Sequence, residues 1–118
     1  MPTKPHNLTD VVQLGATSAA IYTAPSRTRT RITAALISND SATERTADFY
    51  IVPSGGSAAG TNRVVKELAV GVSQPPRRIL GLEGQVLGPG DAVHASASAA
   101  SALNVRLSGL EITGDGID

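Results

Sequence analysis

The sequence predicts an all-β protein: a single antiparallel β-sandwich, jelly-roll-like, of about eight strands. Two observations carry this. Apolar residues recur with period two along most of the chain, as half-buried strands require. Clusters of Gly, Pro, Asn, Asp and Ser separate those runs at short intervals, as hairpins and sheet crossings require.

The first 18 residues carry no strong pattern. Pro2, Pro5, Gly15 and scattered polar residues predict an extended N-terminal arm over 1–18, leaving a sandwich domain over 19–113. Ala19–Thr23 reads as the first strand. In "RTRTRITAALIS", alternation places Ile32, Ala34 and Leu36 on one face and Arg27, Arg29, Arg31 and Thr33 on the other. The turn "SNDSATE" leads into "TADFYIV", rich in β-favouring residues, with Ala47, Phe49 and Ile51 set against Asp48, Tyr50 and Val52.

Pro53 closes that strand, and the small residues from Ser54 to Asn62 predict a flexible surface loop. "NRVVKELAV" suits either a strand or a short helix, since Val64, Val65 and Leu68 also fit a helical stripe; its shortness and Gly71 favour a strand over Arg63–Val70. "GVSQPP" interrupts any sheet, because neither proline donates to a ladder. Further strands are expected at Arg77–Leu82 and, briefly, Gln85–Leu87. "GPGD" fits a tight turn, with Pro89 presetting φ and Gly90 accepting a positive one. "AVHASASA" sets Val93, Ala95 and Ala97 against His94, Ser96 and Ser98. "LNVRLSG" puts Leu103, Val105 and Leu107 on one face, and a change of parity to Leu110 and Ile112 predicts a bulge or bend at Gly109. A loose tail is expected over 114–118.

Composition narrows the function classes. The chain has 118 residues, enough for one domain with a core. It has no cysteine, which excludes disulfides and thiolate chemistry. Ten basic residues balance ten acidic ones, so charge gives no reason to expect nucleic acid or an anionic membrane as partner. No apolar run approaches the about 20 residues of a membrane span, and the N-terminus lacks a signal peptide's apolar block, so cytoplasmic synthesis is expected. One Phe and two Tyr, without Trp, leave the core to small aliphatics. Such a core buries less area per residue, and association with further copies or with a partner would supplement it.

The candidates for chemistry are few. His6 and His94 form no ligand pair, and Asp115 and Asp118 lack the spaced oxygen set of a calcium loop, so neither metal nor cofactor is expected. His94 is the one plausible base in the folded region, but no G-x-S-x-G turn accompanies it, and Glu83 and Asp91 stand in separate turns; an enzyme is not expected. Gly55 and Gly60 have the glycine spacing of a phosphate loop, yet Thr61 and Asn62 occupy the places of its Lys and Ser/Thr. Arg27, Arg29 and Arg31 on one strand would project about 6–7 Å apart. They suit an edge guarded by charge or a protein interface; nucleic acid would also call for stacking rings, which are missing nearby. The candidate protein contacts are therefore Arg27, Arg29 and Arg31 together with Pro53, Gly55, Gly56 and Asn62 of the small-residue loop.

Three segments carry a resemblance: "IYTAP" at Ile21–Pro25, "IVPSGG" at Ile51–Gly56, and "PGD" at Pro89–Asp91 followed by "ASA" and "VRLSG". In this order, over Ile21 to Ile112, the chain resembles the compact β-sandwich modules of small tailed-bacteriophage virion proteins. The resemblance implies a non-enzymatic virion structural protein, made in the host cytoplasm and carried in the particle. It implies binding to other virion proteins, such as major capsid or tail proteins, and to further copies of itself. Capsid decoration or another head-associated role is the expected position, and a tail, neck, baseplate or fibre subunit is the alternative. A carbohydrate- or receptor-binding module is a further alternative, for which Tyr22 and Tyr50 are the available rings.

Overall fold

A computed structural model describes residues 3–7, 12–72, 77–100 and 102–113. Among these residues the chain forms ten strands and a single 3₁₀ turn. The strands are β1 (Thr3–Asn7), β2 (Val12–Gln13), β3 (Ala19–Thr23), β4 (Thr28–Asn39), β5 (Arg45–Val52), β6 (Arg63–Val70), β7 (Arg77–Arg78), β8 (Val86–Leu87), β9 (Ala92–Ala97) and β10 (Leu103–Thr113). No described helix is long and apolar enough to cross a membrane.

Two antiparallel sheets pack face to face. Sheet A runs β1-β10-β4-β7, with β2 also on β10 and β8 also on β4; sheet B runs β3-β9-β5-β6. β1 and β2 pair with successive parts of β10, and β7 and β8 with successive parts of β4, so each pair acts as one interrupted edge strand. Counted that way, the pairings nest: the first edge strand with β10, β3 with β9, β4 with the second edge strand, and β5 with β6.

The core between the sheets follows the alternation. Val93, Ala95 and Ala97 point in from β9, Leu103, Val105 and Leu107 from β10, and Ala47 and Phe49 from β5. Phe49 is the largest fully buried side chain, and Ile32, Ile37, Ile79, Leu82 and Leu87 surround the same core. "NRVVKELAV" is strand, as favoured: Leu68 and Val65 pair with Ala47 and Phe49 and pack on the core.

Four expectations need correction. Within β4 the buried set is Ile32, Ala35 and Ile37, whereas Leu36 is exposed. The cause is a register shift: Ser108 faces Ala34 and Gly109 faces Ile32, leaving Thr33 as an extra residue. The irregularity expected at Gly109 is there, but the inserted residue sits on the partner strand. β10 thus keeps its parity, Gly109 is buried, and Leu110 and Ile112 lie on the outer face, half-buried.

The strand expected over Arg77–Leu82 stops at Arg78. Leu82 and Glu83 turn back onto the Ile79 carbonyl, and Gly84 takes φ 87°, so Ile79 and Leu82 enter the core from a turn. The predicted arm over 1–18 is in part sheet: Thr3–Asn7 and Val12–Gln13 pair with β10 of the same chain, and Leu14 is buried. Pro5 on β1 is tolerated because β1 is an edge strand. The small-residue loop expected to be flexible is instead bonded at both ends, as described below. The expected tail over 114–118, with Asp115 and Asp118, lies outside the described residues.

Candidate interaction surfaces

The seven candidate contact residues do not form one site. Arg29 and Arg31 are exposed on the outer face of sheet A. Arg27 precedes β4 in a turn, with φ 57°, and so leaves the strand face it was expected to share. Pro53, Gly55 and Gly56 are exposed in the loop that joins two strands of sheet B.

That loop is built by its own bonds. Gly55 takes φ 79°, and the Gly56 amide donates to the Pro53 carbonyl at 2.8 Å, closing a tight turn. At the far end the Asn62 side chain accepts from the Ala59 amide at 3.0 Å and donates to the Ser57 carbonyl at 2.9 Å. Asn62 is therefore a clamp within the loop, with both ends of its amide engaged. Val52 is buried on the outer side of sheet B, and the turn rests on it: a Cβ on Gly56 would lie 3.5 Å from Val52 Cγ1.

Asp91 ties this loop to the rest of the sandwich end. Its carboxylate accepts from the Ser54 amide at 3.1 Å and the Gly88 amide at 2.9 Å. Its backbone carbonyl accepts from the Ala24 amide, and the Gly90 amide donates back to the Ala24 carbonyl. Gly90 takes φ 82°, as "GPGD" predicted. Replacing Asp91 with Ala should cost about 1–3 kcal/mol by leaving two amides without their acceptor, read as a lower melting temperature with faster hydrogen exchange at Ser54 and Gly88. Unchanged exchange at both would show that Asp91 does not hold the turn.

The same end carries a buried polar network. The extra residue Ile21 in the β3–β9 register turns Tyr22 inward beside Val93. The Tyr22 hydroxyl donates to Glu111 Oε2 at 2.5 Å and lies 2.8 Å from Thr30 Oγ1. Burial, and then the bond to Glu111, push the Tyr22 phenol well above its ordinary range. The folded state thus holds this proton more tightly than the unfolded chain. The resulting stability is full below the unfolded phenol value of about 10 and falls as pH rises from there toward the folded value. The slope attributable to this group approaches about 1.4 kcal/mol per pH unit. Alkaline melting curves of Tyr22→Phe should therefore be flatter than those of the parent chain, and parallel curves would refute the assignment.

Neither tyrosine offers a sugar-stacking platform. Tyr22 is in the core, and Tyr50 is 8% exposed beneath the Arg63 guanidinium, which stands 6.0 Å from the ring centroid. His94 sits half-buried on the outer face of sheet B, paired with Ala20 and Tyr50. Among the described residues no three His, Asp or Glu side chains gather as a metal-binding group.

Two surfaces emerge that sequence reasoning missed. The first is a cleft of about 250 Å³ on the outer face of sheet B, lined by Thr46, Asp48, Glu67, Ser96 and Ser98 with Ala16 and Ala97. It exists because β6 carries an extra residue at Lys66–Glu67 against Asp48, which puts Glu67 at φ 52°. The Glu67 amide donates to Asp48 Oδ1 at 2.6 Å, and Arg63 pairs with Asp48 Oδ2 at 3.4 Å.

The second is an apolar flank. The exposed large hydrophobic residues among those described are Leu36, Val64, Leu80 and Val86, and all adjoin the segment from Arg77 to Leu87. Leu36 pairs with Arg78, Val86 pairs with Arg31, and Leu80 precedes Gly81, whose backbone packs on Val64 and Val65. This segment closes the seam between β4 of one sheet and β6 of the other. Beside it Arg78 and Glu83 form an ion pair at 2.6 Å; Arg78, and then the Ala35 amide, hold the Glu83 carboxyl below its ordinary range.

Fold and surfaces together define an antiparallel β-sandwich protein with an apolar flank and a polar cleft. No known protein family, curated protein or solved structure matches the chain.

Proposed function

We propose that the chain is a non-enzymatic structural subunit of a tailed-bacteriophage particle, acting through protein–protein contacts, with capsid decoration or another head-associated position as the leading role. The apolar flank is the observation that carries this reading. Exposed aliphatics are ordinary when scattered, but four that all adjoin one segment, from Arg77 to Leu87, favour a surface that meets another protein. Leu80 at 69% and Val86 at 60% exposure are costly to leave in water unless a neighbour covers them.

The fold supports the same reading. The nested pairings are those of one long hairpin folded over on itself, from which we infer jelly-roll connectivity, a recurrent architecture of capsid domains. The resemblance over Ile21–Ile112 points the same way. The partners on this reading are the major capsid or tail proteins and further copies of the chain, and its location is the virion.

Quantitative mass spectrometry of purified particles tests the proposal. The expected result is this chain at many copies per particle, as surface decoration requires. A few copies would move it to the tail, neck or baseplate. Its absence from particles that are otherwise complete would overturn the reading.

A further inference from the structure

We propose that copies of this chain associate head to tail, with the polar cleft of sheet B on one copy receiving the arginine-bearing outer face of sheet A on the next. The inference deepens the structural-subunit reading and rests on it only for its biological setting.

The two outer faces carry charge of opposite sign. The cleft presents Asp48 and Glu67 with the hydroxyls of Thr46, Ser96 and Ser98, and among the described residues no cation lines it. Asp48 already has partners in Arg63 and the Glu67 amide, so the Glu67 carboxylate and the hydroxyls are what the opening offers. That set of acceptors matches a guanidinium, whose five N–H donors form a planar fork. A volume of about 250 Å³ admits such a group.

The opposite face supplies it. Arg31 is exposed on β4, between Val86 on β8 and Leu110 on β10. Further along the same face Arg78 stands beside Leu36, paired with Glu83 and with 68% of its side chain exposed. Aliphatic neighbours around Arg31 give the face apolar area to bury and lower the local dielectric when it docks, which strengthens a charge-assisted bond.

Cleft and arginines lie on opposite outer faces of one sandwich, so they cannot meet within a single copy. Face A against face A would set arginine against arginine, which disfavours a two-fold dimer through this surface. The net charge is zero, so copies are not held apart by overall repulsion. A contact between two different faces of identical subunits is heterologous, and it propagates into a ring or a stack.

Sedimentation velocity on the full chain tests this, from low concentration up to roughly 1 mM, in roughly 20 mM and roughly 500 mM salt. Association beyond the dimer is expected in low salt and its loss in high salt. Glu67→Arg and Arg31→Glu should each weaken association at least about tenfold while melting like the parent, since both side chains are exposed. An equimolar mixture of the two variants should associate again, because one keeps an intact arginine face, the other keeps an intact cleft, and the two reversed charges complement each other. A parent chain that stays monomeric at the highest concentration in low salt would overturn the proposal. So would association that Arg31→Glu leaves intact, or a mixture that does not pair. Each of these outcomes leaves the particle census unaffected, so the two readings can fail separately.

Discussion

Phe49→Ala is expected to remove about 3–5 kcal/mol of folding stability. Phe49 is the single phenylalanine of the chain, fully buried at the centre of β5. Its neighbours across the register are Ala95 on β9 and Val65 on β6, too small to close over the space it would leave. A domain of this size has about 5–15 kcal/mol in total, so the loss would remove between about a fifth and all of it. Phe49→Leu keeps most of the volume and should recover most of the deficit. The check is the urea midpoint of each variant. A shift equivalent to less than about 1 kcal/mol for the alanine variant would mean that the core is not organised around this ring.

Gly81→Ala is expected to destabilise by about 1–3 kcal/mol, although it adds only one methyl group. A Cβ at this position would lie 2.5 Å from Val65 Cγ2 and 3.2 Å from the Val64 carbonyl oxygen. Backbone conformation is not the obstacle here, since Gly81 is not among the residues at positive φ. The obstacle is the close approach of the turn to β6. Val65 cannot swing clear easily, because it is β-branched and packs against the core. The flank would have to open at the seam between the sheets. Adding Val65→Ala should relieve the clash, so the double variant should lose less than the two single losses combined. Strict additivity, or a Gly81→Ala chain as stable as the parent, would contradict the close packing of this flank.

The fold class was legible in the residues because alternation is a local property. "AVHASASA" and "LNVRLSG" each determine which side chains face the core once they become strands. What resisted reading depends on partners. The extra residue at Thr33 exists only in the pairing of β4 with β10, so the buried set Ile32, Ala35 and Ile37 could not be read from β4 alone. Gly109 signalled the irregularity without showing which strand would carry it. The pairing of Thr3–Asn7 with Asn7 opposite Ser108 depends on residues about a hundred positions away, and prolines masked it.

The interaction surfaces were harder still. Arg31 was visible as a charged position on a strand, but its row with Val86 and Leu110 requires β8 and β10. Asp48 and Glu67 become neighbours only through the insertion in β6. Val64 and Leu80 read as members of ordinary strands until the turn at Gly81 placed them on one flank. Asn62 illustrates the reverse case: a candidate contact by composition, it spends both ends of its side chain on its own loop.

On the proposed reading this sandwich is a repeated part of a virus particle, held there by its exposed flank. A map of the purified particle with this subunit labelled by an antibody tests it most directly. Label repeated over the head surface is the expected result, with Leu36, Val64, Leu80 and Val86 against a neighbouring protein. Particles without label, or labelled subunits whose Arg77–Leu87 flank faces open solvent throughout, would contradict it.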